Sequence, residues 1–407
     1  MRYTGTKSIG IRMPIFKSGD DVAEIVFDGI KNAVENGEIT LKDRDIVGIT
    51  ESVVARSQGN YVSIDDIAES IDELYPDIPR EKRVLGVVFP ILSRNRFSII
   101  LKGIAKSAKK VIVLFKLPDD EVGNILINDY DKFNPSFKDV GFFREGDVRK
   151  FFKETIHTFT GVDYIDFYKS IINEVGAEAE IIVSENPEYI LDFTDNVICC
   201  DIHTVDETYR RIANSQKYAR TFSFKPERTF RLCNVCGKKN DKTGYNEDYG
   251  VLGSNKATET TLKLFPRNCF ALCEKLQNMF KEKMNKHIEV FVYGDGAFKD
   301  PVCGIWELAD PVASPGYTEG LAGTPNELKL KYLADNDFKN ENENVAEKIK
   351  DAIKNKKENL FGNMASQGTT PRRYTDLLAS LCDLTSGSGD KGTPVVLVQG
   401  YFDNFAD

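Results

Sequence analysis

A series of short apolar runs rich in β-branched residues, spaced by amphipathic stretches, constrains this chain to an α/β architecture. DIVGIT (45–50), VLGVVFPIL (84–92), KVIVLFKL (110–117), IEVFVY (288–293) and VVLVQG (395–400) read as buried strands. EIIVSE (180–185) and NVICCD (196–201) add two more, and a further strand is expected from Lys7 to Phe16. Between them, Val22, Ile25, Val26, Ile30 and Val34 recur at helical spacing after an acidic start that suits the positive end of a helix dipole. Ser63 is the expected N-cap of a helix to Tyr75, and helices are expected over 93–108, 147–159, 162–175, 206–219, 269–284, 326–333 and 340–359. The chain has 407 residues, too many for one small core. Residues 110–245 have their own strand–helix rhythm and read as an inserted α/β subdomain. The expected division is a core of mixed sheets from 1–109 and 246–407, interrupted by 110–245.

Apolar residues make up 41% and charged residues 29%, a soluble globular balance. The net charge of −9 and pI near 5.2 argue against general nucleic-acid or anionic-membrane binding. No apolar stretch is long enough to span a bilayer. The start, MRYTGTKSIGIRMP, lacks the apolar core of a secretion signal, so a cytoplasmic location is expected. Eight cysteines in a chain of this size do not form a disulfide framework. Cys233 and Cys236 form one CxxC, and a zinc ribbon requires a second pair at suitable spacing. Histidines 157, 203 and 287 show no ligand-like spacing and read as structural or surface residues.

Several stretches carry candidate chemistry. IEVFVY is expected to stop at Gly294-Asp295-Gly296, where two glycines around a carboxylate allow a sharp turn and close approach to a ligand. Lys299, Asp300, Glu307 and Asp310 follow, with Trp306, the only tryptophan. Acids and a lysine beyond a strand's carboxyl end suit a divalent cation and a phosphate, although an ordinary acidic turn accounts for the same residues. DIVGIT runs into ESVVARSQGN, placing Arg56 on a helix that follows a strand directly, an arrangement suited to phosphate. Arg94 and Arg96 begin another helix against its dipole, which points to a nearby anion or an exposed edge. Tyr249–Asn255 is a glycine-rich turn, and Pro311–Pro325, with three glycines, is expected to be a long loop or lid. Thr370 and Pro371 are placed to start a helix. TSGSGDKGTP (385–394) offers backbone N–H groups and hydroxyls to phosphate oxygens, but Lys391 is not in a GK[ST] pattern and the stretch is no P-loop.

In order along the chain these stretches resemble the γ-glutamyl ligase of the deazaflavin coenzyme (factor 420). PIFKSGDDVAEI (14–25) resembles that family's P-[IL]-I-x-x-GDD-[LI]-A-E. DIVGITESVVARSQGN (45–60), YGVLGSN (249–255), LKLFPRN (262–268), EVFVYGDGAFKDP (289–301) and GSGDKGTPVVLVQG (387–400) resemble its later blocks. The resemblance implies addition of L-glutamate to a small carboxylate-bearing acceptor, driven by GTP or ATP with Mg²⁺ or Mn²⁺, in a homodimer, without nucleic acid or membrane. It places Pro14, Ile15, Phe16, Lys17, Glu51, Ser52, Arg56, Asn255 and Ser386, Gly387, Ser388, Gly389, Asp390, Lys391, Gly392 and Thr393 at the nucleotide. Asp295 matches a metal-binding position, and Glu307 and Asp390 complete the expected metal set. Lys17, Arg56, Lys299 and Lys391 are the catalytic cations such chemistry needs. The sequence departs from the family pattern at Leu252 (an Asp in the family), Ser52 (a Lys), Gly296 (a Thr) and Ser388 (an acid), with Asp248, Asp300, Glu307 and Asp390 as available substitutes. Two other readings use the same residues: a non-catalytic nucleotide-binding regulator and a zinc-dependent interaction protein organised by Cys233 and Cys236.

Overall fold

The computed structural model describes residues 3–120, 126, 141–152, 155–158, 160–215, 225–238, 246, 248–299, 306–340, 344–369, 372–386 and 390–407, with backbone alone at 295–299 and 306–313. In chain order the first elements are β1 (Lys7–Ile11), α1 (Val22–Glu35), β2 (Ile46–Thr50), α2 (Glu51–Ser57), β3 (Tyr61–Ser63), α3 (Ile64–Leu74), β4 (Val84–Val88), α4 (Arg96–Lys106) and β5 (Lys110–Phe115). There follow β6 (Phe143–Arg144), α5 (Glu145–Phe151), α6 (Tyr164–Glu174), β7 (Glu178–Val183), β8 (Val197–Cys199), α7 (Val205–Ala213) and β9 (Thr229–Arg231). The last are β10 (Asn255–Lys256), β11 (Thr261–Lys263), α8 (Cys269–Met284), β12 (Glu289–Lys299), β13 (Trp306–Tyr317), α9 (Val345–Lys354), α10 (Tyr374–Ser386) and β14 (Val395–Gln399). The fold is mixed α/β. It divides into two compact units, one of Met1–Ser57, Asn268–Asp295 and Asp310–Asp407, the other of Gln58–Arg267 and Gly296–Ala309.

The first unit is built on a sheet of order β1-β14-β2-β12-β13. β2 lies parallel to β12 and antiparallel to β14. Alternation along β2 sorts its side chains between two helical layers. Val47 and Ile49, with Val290, Val292, Val395 and Leu397, form one core with α1 and α8, where Phe27 meets Phe280 at 5.0 Å between ring centroids. Gly48 points to the other face. A Cβ there would lie 2.8 Å from Cys382 Sγ on α10 and 2.9 Å from Phe291, so any side chain would have to displace a neighbour. Covering both faces explains why IVGI and VVLV are continuous apolar runs rather than alternating ones. Asp21 caps α1, its carboxylate accepting from the N–H groups of Ala23 and Glu24.

The second unit carries a sheet of order β6-β7-β5-β4-β8-β9, parallel throughout except for the short edge strand β6. β3, β10 and β11 form a separate small antiparallel sheet. Ser63 and Asp66 form a reciprocal capping box at the start of α3. Behind α3, the buried Arg83 guanidinium donates through its two terminal nitrogens to Asp72 Oδ1 at 2.6 Å and to the carbonyls of Ser107, Tyr75 and Ile78, so its charge is paired.

Several expected bounds move. The strand expected to end at Gly294 continues to Lys299, and the expected loop after Pro311 is β13 as far as Tyr317. Glycine tolerates extended backbone as readily as a turn, and pairing between β12 and β13 supplies ladder hydrogen bonds that a turn would forgo. The first strand stops at Ile11, and only Leu330–Tyr332 forms an α-turn within the expected helix 326–333. The expected helix 147–159 shortens to α5, because Phe152 already has extended backbone. Thr370 and Pro371 lie outside the described residues, and α10 begins at Tyr374.

Candidate functional site

One end of the first unit's sheet gathers most of the expected site. β2 and β12 run parallel and in register, pairing Thr50 with Tyr293, so the carboxyl end of β2 lies beside the middle of β12, at Tyr293. β14 runs the opposite way and brings its amino end there, with the Thr50 N–H donating to the Pro394 carbonyl at 3.0 Å. The segment after β1 joins them: the Met13 N–H donates to the Gly392 carbonyl at 3.0 Å. From α2, Arg56 Nε donates to the Phe16 carbonyl at 2.8 Å, and the Gly19 N–H donates to the Ser57 carbonyl at 2.8 Å. Thus residues 13–19 and 50–57 and the far-distant 390–394 are tied by backbone hydrogen bonds into one rim.

The rim is cationic. Lys17, Arg56 and Lys391 are exposed, and none of the three forms an ion pair among the described residues. The Lys17 N–H is fixed by Asp20 Oδ2 at 2.6 Å, which uses the first acid of the GDD stretch for backbone positioning. Arg56 spends one N–H on Phe16, and the rest of its planar donor set makes no hydrogen bond among the described residues. Pro14, Ile15 and Ser52 are exposed beside it, with Ile15 at 76%, whereas Phe16 is buried and anchors the segment to the core. Glu51 is buried at 2% and packs against the middle of β12: a Cβ on Gly294 would lie 2.1 Å from Glu51 Cγ. That close approach gives Gly294 a packing reason in addition to conformational freedom.

The loop before β14 is positioned by small contacts the sequence does not announce. Thr393 packs against Gly10, where a Cβ would meet its side chain at 3.0 Å, and its hydroxyl donates to the Ser386 carbonyl at 3.1 Å. Ser386 closes α10 beside Tyr293, whose phenol is pushed well above its ordinary range by burial. Asp390 and Gly392 are exposed. Gly387, Ser388 and Gly389 lie outside the described residues. Asn255 sits on β10 of the second unit.

For a cation, the expected carboxylates are hard oxygen donors suited to Mg²⁺ or Mn²⁺. Asp295 lies two residues past Tyr293, so its backbone leaves the edge where the rim is assembled. Its side chain and those of Glu307 and Lys299 lie outside the described residues, as does Asp300, while the Asp390 carboxylate is exposed on the loop into β14. Asp248 is exposed in the second unit. Leu252, at the position of a family acid, is 1% exposed and contributes only hydrocarbon. Among the described residues no group of three or more His, Cys, Asp or Glu side chains is placed to hold a metal, and this includes the CxxC cysteines. Cys236 is instead half-buried against α3, its N–H donating to Ser70 Oγ, and desolvation pushes its thiol up to about 12. His157 is buried, with Nε2 3.1 Å from Asp120 and Nδ1 2.9 Å from Thr160, as expected of a structural histidine. No helix among the described residues is long and apolar enough to cross a membrane.

Comparison with known proteins adds two findings. The family model described as F420-0:gamma-glutamyl ligase matches residues 10–400. A curated coenzyme F420:L-glutamate ligase from Methanothermobacter thermautotrophicus is 35% identical over 71 residues, a stretch covering 17% of this chain and 27% of that protein.

Proposed function

The chain belongs to the F420-0:gamma-glutamyl ligase family, and from that premise we propose that it joins L-glutamate to a carboxylate-bearing deazaflavin acceptor at the expense of GTP or ATP. One observation carries the reading. Lys17, Arg56 and Lys391, all exposed and without ion pairs among the described residues, are presented by three segments hydrogen-bonded together at one sheet edge. Exposed cations held on a hydrogen-bonded frame attract anions, and a triphosphate suits their charge.

In the proposed reaction an acceptor carboxylate oxygen attacks the γ-phosphorus, the bond to the β-phosphate oxygen breaks, and nucleoside diphosphate leaves. The glutamate amine then attacks the acyl carbon, the carbon–oxygen bond to phosphate breaks, and the amine proton passes to solvent. Lys17, Arg56 and Lys391 hold the phosphate oxygens and meet the charge that develops on the leaving diphosphate. Lys299 is assigned to the same charge. The loop of residues 386–393 is assigned to orient the nucleotide, with Pro14–Lys17, Glu51 and Ser52 lining it. A bound Mg²⁺ or Mn²⁺ would neutralise triphosphate charge, and Asp295, Glu307 and Asp390 are the carboxylates assigned to hold it. A homodimer belongs to the same reading.

Phosphate release from GTP and from ATP, measured with Mg²⁺ or Mn²⁺, L-glutamate and a deazaflavin carboxylate acceptor, tests the proposal. The expected result is release that requires both organic substrates and matches formation of a product heavier by one glutamyl residue. Buried Leu252 favours one alternative, a nucleotide-binding regulator. Nucleotide binding without phosphate release for any acceptor would establish that alternative.

A further inference from the structure

The second unit has features of a ligand site that owe nothing to the ligase chemistry. Its parallel strands stand in the order β7-β5-β4-β8-β9. The chain begins at β4, winds outward through β5 to β7, then returns to the other side of β4 for β8 and β9. The winding direction therefore reverses between β4 and β8. At such a reversal the connections leave the carboxyl ends in opposite directions and open a crevice, where open α/β sheets take their ligands.

A cavity of about 90 Å³ occupies that position. Phe89 follows β4, Phe115 ends β5 and Ile202 follows β8, and these form apolar walls, while Lys116, Asp119 and His203 supply polar groups. Phe89 has φ of 52°, the left-handed region that a bulky aromatic residue rarely adopts, and its N–H is held by the Leu114 carbonyl at 2.9 Å. Backbone strain of order 1 kcal/mol or more is thus retained at the mouth of the crevice. Asp120 is engaged by His157 at 3.1 Å, whereas the Asp119 carboxylate has no hydrogen bond or ion pair among the described residues.

The chemistry of the lining selects a class of ligand. The walls suit a flat ring. Asp119 and Asp120 against Lys116 leave the rim net negative, unfavourable for a triphosphate. Residues 89–95 contain no glycine and Pro90 has no N–H, so the backbone cradle that holds a diphosphate is missing. A carboxylate beyond the second strand of such a sheet is instead placed to accept from two vicinal hydroxyls. We propose that the second unit binds a nucleoside, its base in the slot between Phe89, Phe115 and Ile202 and its ribose diol on Asp119.

Calorimetric titration of the full chain with adenosine, uridine and 2′,3′-dideoxyadenosine tests this. Saturable binding of adenosine or uridine is expected, weakened roughly tenfold or more by loss of the diol or by Asp119→Ala. Ile202→Trp, which fills the slot, is expected to abolish binding, and Arg56→Ala in the ligase unit is expected to leave it unchanged. If Ile202→Trp does not fold, the dideoxy and Asp119→Ala comparisons decide. No saturable binding of either nucleoside, equal binding of the dideoxy compound, or loss of binding on Arg56→Ala would overturn the proposal.

Discussion

The first unit closes the carboxyl end of β2 with exposed lysines and an arginine, whereas the second closes the ends of β4, β5 and β8 with aromatic rings and carboxylates. Strand direction explains part of the contrast. In the first sheet antiparallel β14 brings an amino end and its preceding loop to the edge that carries Arg56, adding Lys391 from a distant part of the chain. In the second sheet the strands meeting at the crevice are parallel, so only carboxyl ends meet there, and short returns such as Phe89-Pro90-Ile91-Leu92 supply apolar walls. Similar layers therefore yield a cationic rim in one case and an aromatic-walled slot in the other. What differs is which chain ends the topology brings together.

The comparison is broken most directly by removing a rim cation. Arg56→Ala should lower ligase kcat/KM by roughly a hundred- to a thousandfold, the scale for losing one group that meets transition-state charge, with the fold intact by circular dichroism. An unchanged kcat/KM would remove the rim from the chemistry.

The next effect belongs to the second unit and to pH. Burial raises the Asp201 carboxyl to about 6, against an ordinary 3.8, although Oδ2 accepts from Thr204 at 2.7 Å and Thr208 at 2.8 Å. The unfolded chain thus loses this proton more readily than the folded one, so stability should fall as pH rises from about 4 to about 6 and level off above, by up to about 3 kcal/mol. In urea titrations across that range Asp201→Asn should lack this component of the decline. An identical decline in the variant would assign it elsewhere.

A smaller effect sharpens the account of the first sheet. Gly48→Ala sets a methyl 2.8 Å from Cys382 Sγ and should cost about 1–2 kcal/mol, with part of the loss recovered in the Gly48→Ala, Cys382→Ala double variant. Full additivity of the two substitutions would show that the face is not shared as described. Smallest of all is the exposed Lys31–Glu35 pair at 3.6 Å, whose removal by Glu35→Gln should change stability by no more than about 0.5 kcal/mol.

Much of the frame is legible in the residues themselves. DIVGIT and VVLVQG give buried strands because both faces of the sheet are covered, and the spacing of Val22, Val26 and Ile30 gives the face of α1 that meets α8. The capping of α3 by Ser63 follows from the same local chemistry. The ends of β12 and β13 are not legible, because glycine and proline favour turns locally while strand pairing is decided by distant chain. In the site, Lys17, Arg56 and Lys391 stand out as basic residues beside strand ends. The contacts that assemble them do not: Met13 to Gly392, Thr50 to Pro394 and Gly294 over Glu51 pair positions with no shared sequence signal. The slot around Phe89 is equally hidden, since VLGVVFPIL reads only as a buried run until the strand order is known.

Equilibrium binding of a non-hydrolysable GTP analogue to the full chain, its Arg56→Ala and Lys391→Ala variants and its Asp119→Ala variant tests the central claim most directly. The account predicts affinity at least tenfold weaker in both rim variants and unchanged in Asp119→Ala. Triphosphate affinity that survives both rim substitutions, or that falls with Asp119, would contradict it.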